Sequence, residues 1–138
     1  MHAILYRSTA AHPIRPADID EIVDTGRRRN TLWSITGLLL YGFYPDGQPG
    51  FVQWLEGDTE GVEALFACIC ADARHTNVVR IATGRDLACY TLPTLCLAMC
   101  AIPVDCLPGT PDAFLAQAAA LAVTVGALEQ ADQLDPAA

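Results

Sequence analysis

Ser34-Ile35-Thr36-Gly37-Leu38-Leu39-Leu40-Tyr41-Gly42-Phe43, the turn Pro45-Asp46-Gly47-Gln48-Pro49-Gly50 and the return Phe51-Val52-Gln53-Trp54-Leu55-Glu56 decide the fold. Two apolar runs joined by Pro, Gly and Asp read as a β-hairpin. Upstream, Ala3 to Tyr6 reads as a first strand with Arg7 and Ser8 at its end. Pro16 suits a first helical turn, and Asp18, Asp20 and Glu21 favour a helix N-terminus. Ile19, Ile22 and Val23 follow at the spacing of a buried stripe. Downstream, Gly57 and Asp58 break the strand, and Val62, Leu65, Phe66 and Ile69 mark the inner face of a second helix. Asn77 to Ala82 reads as a fourth strand and Leu95 to Ala101 as a fifth.

This βαββαββ order predicts an α+β, ferredoxin-like sheet with two helices on one face. Leu38-Leu39-Leu40-Tyr41 and Val78-Val79-Arg80-Ile81 do not alternate cleanly, so both sheet faces are expected to be covered. Pro111 to Gln130 offers the cover: Phe114, Leu115, Ala118, Leu121, Ala122, Val125 and Leu128 form a broad helical stripe. It can lie across the open face or build a homo-oligomer, a dimer or higher. The expected division is a domain over residues 1–101 and a C-terminal helical extension over 102–138, frayed from Ala131.

A length of 138 residues suits one core without metal or disulfide staples. Apolar types make up 52% and charged types only 17%, which excludes a disordered chain. The net charge of −8, with arginine as every cation, opposes nucleic acid and anionic membranes. The triplet Arg27-Arg28-Arg29 is too short for a nucleic-acid groove and better suits a local anion. No signal peptide or membrane span is legible, so the expected location is cytoplasmic. The six cysteines contain no C-x-x-C pair and are expected to be reduced and mostly buried.

Three polar residues stand among apolar ones: Tyr6, Asn30 and Gln53. A buried amide without a partner costs about 1–3 kcal/mol, so such groups pair with one another, with backbone or with a ligand. Strand alternation puts Gln53 on one face with Phe51 and Leu55. A neutral amide there can connect a phenol to a heterocycle. The competing reading is a marginal tyrosine, an edge-strand glutamine and an Asn30 that caps its helix in the left-handed conformation. Arg74 and His75 suit a phosphate, or equally a solvent-facing pair at a helix end. No nucleophile–base pair, facing carboxylates or phosphate-binding glycine loop is present, so no enzyme is expected.

The chain resembles the BLUF family, blue-light sensors using FAD. Leu5-Tyr6-Arg7-Ser8, Arg29-Asn30 through Ile35-Thr36-Gly37, Phe51 through Gly57, and Asp72-Ala73-Arg74-His75-Thr76-Asn77-Val78 carry the resemblance, over about residues 1–83. It implies an isoalloxazine ring between the two helices. Tyr6 would be the photochemical electron donor, Gln53 the switching amide, and Asn30 the partner of the ring's carbonyl edge. Arg29 occupies a ring-flanking position, Ile22 packs on the ring, and Arg74 and His75 contact the ribityl-diphosphate side. The implied activity is reversible photochemistry without turnover. Output would pass through the C-terminal segment or to a downstream signalling protein.

The family's usual tryptophan near the fifth strand is missing; counting from His75 gives Thr94 and Cys96, while a small insertion gives Met99. The longer hairpin around Pro45 to Pro49 is a second departure. The alternatives are a flavin-binding or interaction scaffold with impaired sensing, and a small enzyme of the acylphosphatase type.

Overall fold

The computed structural model describes residues 2–83 and 100–120 and follows the expected element order. It comprises β1 (His2–Ala10), α1 (Pro16–Leu32), β2 (Thr36–Phe43), β3 (Pro49–Gly57), α2 (Thr59–Ala71), β4 (His75–Thr83) and β5 (Cys100–Val104). A further helix, α3, occupies residues 111–120. The strands form one sheet in the order β4-β1-β3-β2-β5. The inner pairs are antiparallel, and β5 runs parallel to β2. This is the ferredoxin-like arrangement with one strand added at an edge.

The hairpin fixes the register. Tyr44 N–H donates to Gln48 O at 2.9 Å, and Gly47 closes the turn at φ 88°, a conformation glycine adopts without a Cβ clash. Tyr6 then pairs with Gln53, and Gln53 with Leu39, in one row across β1, β3 and β2. Alternation places this row on a single face.

On that face, Ile4, Tyr6 and Leu55 pack under Val62, Leu65 and Ile69 of α2, while Leu39 and Phe51 meet Ile19 and Ile22 of α1. The opposite face carries Leu5, Leu38, Leu40, Val52 and Trp54, covered by Leu107, Phe114 and Ala118. Phe114 stacks on Trp54 at 5.9 Å with 15° between the rings. The cover expected from the C-terminal stripe is therefore provided by α3; its positions from Leu121 onward lie outside the described residues.

Three expectations change. Val78-Val79-Arg80-Ile81 is not buried on both faces: β4 is an edge strand, with Val79 43% exposed. The described fifth strand is Cys100–Val104; residues 95–99, and with them Thr94, Cys96 and Met99, lie outside the described residues. Cys68, Cys70 and Cys106 are free, but Cys70 and Cys106 are exposed, because Cys70 follows the inward Ile69 and Cys106 sits in a loop.

Candidate functional site

The ends of the two helices set the site. α1 starts where Asp18 Oδ2 accepts the Arg15 N–H at 3.0 Å, half of a capping box. It closes with Ser34 at φ 53° and with Ile35 N–H donating to Asn30 O at 2.8 Å, a Schellman-type ending. Asn30 is thus inside the helix, four residues before the left-handed Ser34, and not the cap itself. Its backbone is tied to the entry of β2, and its side chain is buried at 1% exposure.

α2 ends in a turn built by Asp72. Its carboxylate accepts the Arg74 N–H at 2.9 Å and the guanidinium through Nε at 3.1 Å and Nη2 at 2.6 Å. The Arg74 guanidinium holds the Asp72 carboxyl below the usual carboxylate range. Arg74 O also accepts the Ala11 N–H at 3.1 Å, which joins this turn to the end of β1.

Between α1 and α2, above the sheet, lies a cleft lined by Tyr6, Ile22, Arg29, Asn30, Gln53, Arg74 and His75. All seven residues singled out in the sequence thus line one space. The sequence reading missed Thr25, Gly26 and Asp72, which also line it. Helical spacing held the signal for two of these: Thr25 and Gly26 follow Ile22 by three and four residues, and Arg29 and Asn30 repeat the step.

Tyr6 and Gln53 are joined directly, the phenol donating to Gln53 Oε1. Burial, reinforced by the negative charge of Asp72, raises the phenol far above its ordinary pKa, so Tyr6 is a neutral donor. With Oε1 engaged, the other end of the amide points towards Asn30. A Cβ placed on Gly37 would lie 3.3 Å from Asn30 Nδ2 and 3.6 Å from Gln53 Nε2. The missing side chain at Gly37 is what lets the two amide nitrogens approach the same patch.

His75 stands at the outer end. Its Nδ1 is 2.7 Å from Ser8 Oγ, its ring tilts on Phe51 at 4.9 Å, and Tyr6 lies edge-on at 6.3 Å. Burial lowers its pKa and favours the neutral imidazole. Ser8, 1% exposed, was not singled out in the sequence. A serine and a histidine 67 residues apart give no local signal of pairing.

The donor set fits a flat heterocycle with carbonyl and N–H edges. Two amide nitrogens approach one patch beside Gly37, and Gly26, which has no side chain, also lines the cleft. Arg74 Nη1 is buried without a hydrogen-bond acceptor among the described residues. The open space is narrow, about 40 Å³, against the roughly 300 Å³ at which small-molecule pockets begin. Ile19 and Ile22 are the only buried apolar side chains of α1 among the described residues.

The family profile "BLUF: Sensors of blue-light using FAD" matches residues 1–87. The photoactivated adenylate cyclase subunit beta of Euglena longa is 41% identical over 78 residues, covering 56% of this chain and 8% of that protein. The blue light- and temperature-regulated antirepressor BluF of Escherichia coli K12 is 35% identical over 78 residues, covering 56% of this chain and 18% of that protein. The structure of BlrB, a BLUF protein in the dark state, superimposes with a TM-score of 0.62 at 28% identity, covering 74% of this chain and 71% of BlrB. The chain spans less than a fifth of the length of these two curated relatives.

Proposed function

The chain belongs to the BLUF family of flavin-binding photosensory domains, and on that premise we propose that it is a blue-light photoreceptor. FAD would lie between α1 and α2, with Asn30 and Gln53 at its polar edge, Ile22 and Arg29 beside the ring, and Arg74 and His75 at the outer end. The observation that carries this reading is the buried hydrogen bond from Tyr6 to Gln53, in a cleft that Asn30, Ile22, Arg29, Arg74 and His75 also line.

When bound, the flavin supplies a light-driven acceptor for one electron. Tyr6, buried in the wall of the cleft, would provide that electron. A phenol that loses an electron becomes a strong acid, and the Tyr6 O–H already points at Gln53 Oε1, so its proton has a direct path. Gln53 would then exchange its ends, and the electron would return from the flavin and the proton from the amide to Tyr6, so that no net oxidation or protonation remains. Nε2 faces the Tyr6 oxygen, which turns from donor to acceptor, and Oε1 takes the place of Nε2 beside Gly37 and Asn30. A glutamine can do this without desolvating a charge, whereas a glutamate at 4% exposure could not.

No turnover is involved: the matched region is the sensor module, not the cyclase domain of the relatives. The proposed output passes through α3, or to a second copy of the chain or a downstream signalling protein. The proposed compartment is the cytoplasm; no described helix is long and apolar enough to cross a membrane.

The test is Gln53→Leu in the full chain loaded with flavin. The variant is expected to stay yellow but to lose the reversible long-wavelength shift that illumination produces in the wild type. A full normal shift in the variant refutes the switching role. Bound flavin with no shift in the wild type leaves the scaffold reading.

A further inference from the structure

We propose that Arg80, which does not line the cleft, is a positioning residue for Tyr6: acting through Phe66, it holds the phenol ring against the Gln53 amide and so sets how long the light-induced state lasts. The inference rests on the flavin reading above. The register of β4 gives the first observation. Leu5 pairs with Ala82 but Tyr6 pairs with Arg80, so Ile81 is an extra residue in β4 at that step. A bulge of this kind re-aims the side chains beside it. Here it puts Arg80 opposite Tyr6, on the face that α2 covers.

On that face the guanidinium grips α2 twice. Nη1 and Nη2 donate to Glu63 Oε1 and Oε2 at 3.0 and 2.8 Å, a forked pairing, and the guanidinium carbon stands 4.6 Å from the centroid of the Phe66 ring. Glu63 and Phe66 lie at i and i+3 on α2, so one planar cation reaches both. Nη1 also donates to Thr83 Oγ1 at 3.1 Å, and His2 Nε2 donates to Glu63 Oε1 at 2.9 Å. One carboxylate thus ties β1 and β4 to α2. The same Phe66 ring meets Tyr6 at 5.6 Å between centroids and 60° between planes, an edge-to-face contact. Phe66 is therefore pinned by the cation and in turn fixes the tilt of the phenol, whose O–H must stay aimed at Gln53. Return to the dark state breaks the bond that the exchanged amide makes to the Tyr6 oxygen. A ring free to tilt holds that bond more loosely, so recovery speeds up.

The experiment follows dark recovery of flavin absorption after illumination of the full chain loaded with flavin, in the wild type, Arg80→Ala, Phe66→Leu and the double variant. Arg80→Ala is expected to recover about fivefold faster, the rate equivalent of about 1 kcal/mol. Glu63→Ala, on the outer side of α2 and 39% exposed, releases the same guanidinium without touching β4 and is expected to shorten the lifetime alike. In the Phe66→Leu background the Arg80 change is expected to move the rate by less than about twofold, since the ring it acts through is gone. A general loosening of the fold would accelerate both backgrounds equally, and that result overturns the proposal. An unchanged lifetime in Arg80→Ala and Glu63→Ala overturns it as well, and leaves the flavin reading standing. A wild type with no flavin or no reversible shift overturns the photoreceptor reading itself, and this inference with it.

Discussion

Tyr6→Phe deletes a single oxygen from a side chain 1% exposed and leaves Gln53 Oε1 without its phenol donor. An average intramolecular hydrogen bond contributes about 1 kcal/mol net, but an orphaned buried acceptor costs about 1–3 kcal/mol. Gln53→Leu reverses the fault, leaving the Tyr6 hydroxyl buried with nothing to accept it, at similar cost. The double variant removes both partners and replaces them by an apolar pair of nearly the same shape, so its second deletion should cost little. The coupling between the two sites is therefore expected at about 0.5–3 kcal/mol. Equilibrium urea unfolding of the four flavin-free proteins at neutral pH, where Tyr6 is neutral, measures it. Costs that add within about 0.3–0.5 kcal/mol would mean that the phenol and the amide do not meet, and the switch would lose its structural basis.

The remaining predictions concern His75 and α3. Burial holds the His75 imidazole below its ordinary value of 6.5, with Asp72 opposing and Arg74 reinforcing the shift. The unfolded chain then takes up a proton near pH 6.5 that the folded chain refuses, so stability falls as pH drops below 6.5 through the lowered pKa. His75→Gln should flatten that limb in urea midpoints measured between about pH 5 and 7; an unchanged slope would contradict the burial argument. Phe114, fully buried and stacked on Trp54, should cost about 3–5 kcal/mol when cut to alanine. It should also shift the tryptophan emission, and a loss under about 1 kcal/mol would show that α3 is not seated on the sheet.

The sequence made the framework legible where one residue type dominated a local pattern. Pro45 to Gly50 could only turn, and Phe51, Gln53 and Leu55 had to share a face. Phe114 and Ala118 were identifiable from helical spacing, since α3 meets the sheet along that stripe. The site was less legible because its contacts join distant segments. Ser8 with His75 and Tyr6 with Gln53 are 67 and 47 residues apart. Their partners emerge only from the strand register, which is a property of the hairpin and not of any motif. Asp72 was hidden by its ordinary position at a helix end; its role follows from the side-chain turn that fixes Arg74. The edge position of β4 was likewise invisible, because strand order is not written in local composition.

The proposed signal is small beside the contact it has to influence. Exchanging the ends of Gln53 remakes one or two hydrogen bonds, each worth about 1 kcal/mol net, whereas unseating Phe114 costs about 3–5 kcal/mol. Moving a two-state equilibrium from 1:99 to 99:1 takes about 5.5 kcal/mol. The amide cannot lift α3 off the sheet, so the responsive element must already lie close to balance. β3 supplies one. Gln53 faces the cleft, while the next residue, Trp54, faces α3 and keeps its Nε1 buried without an acceptor among the described residues. Two residues on, Glu56 Oε1 is buried and unpartnered in the same way, and burial raises that carboxyl's pKa. An unsatisfied buried polar atom costs about 1–3 kcal/mol, the same order as the Gln53 exchange. The α3 face of β3 thus already carries a penalty that a slight shift of the strand can relieve, by giving the indole N–H or the carboxyl a partner. A signal starting at Gln53 would be of the same order as that penalty, and the proposed route runs through Phe114, stacked on the indole, into α3.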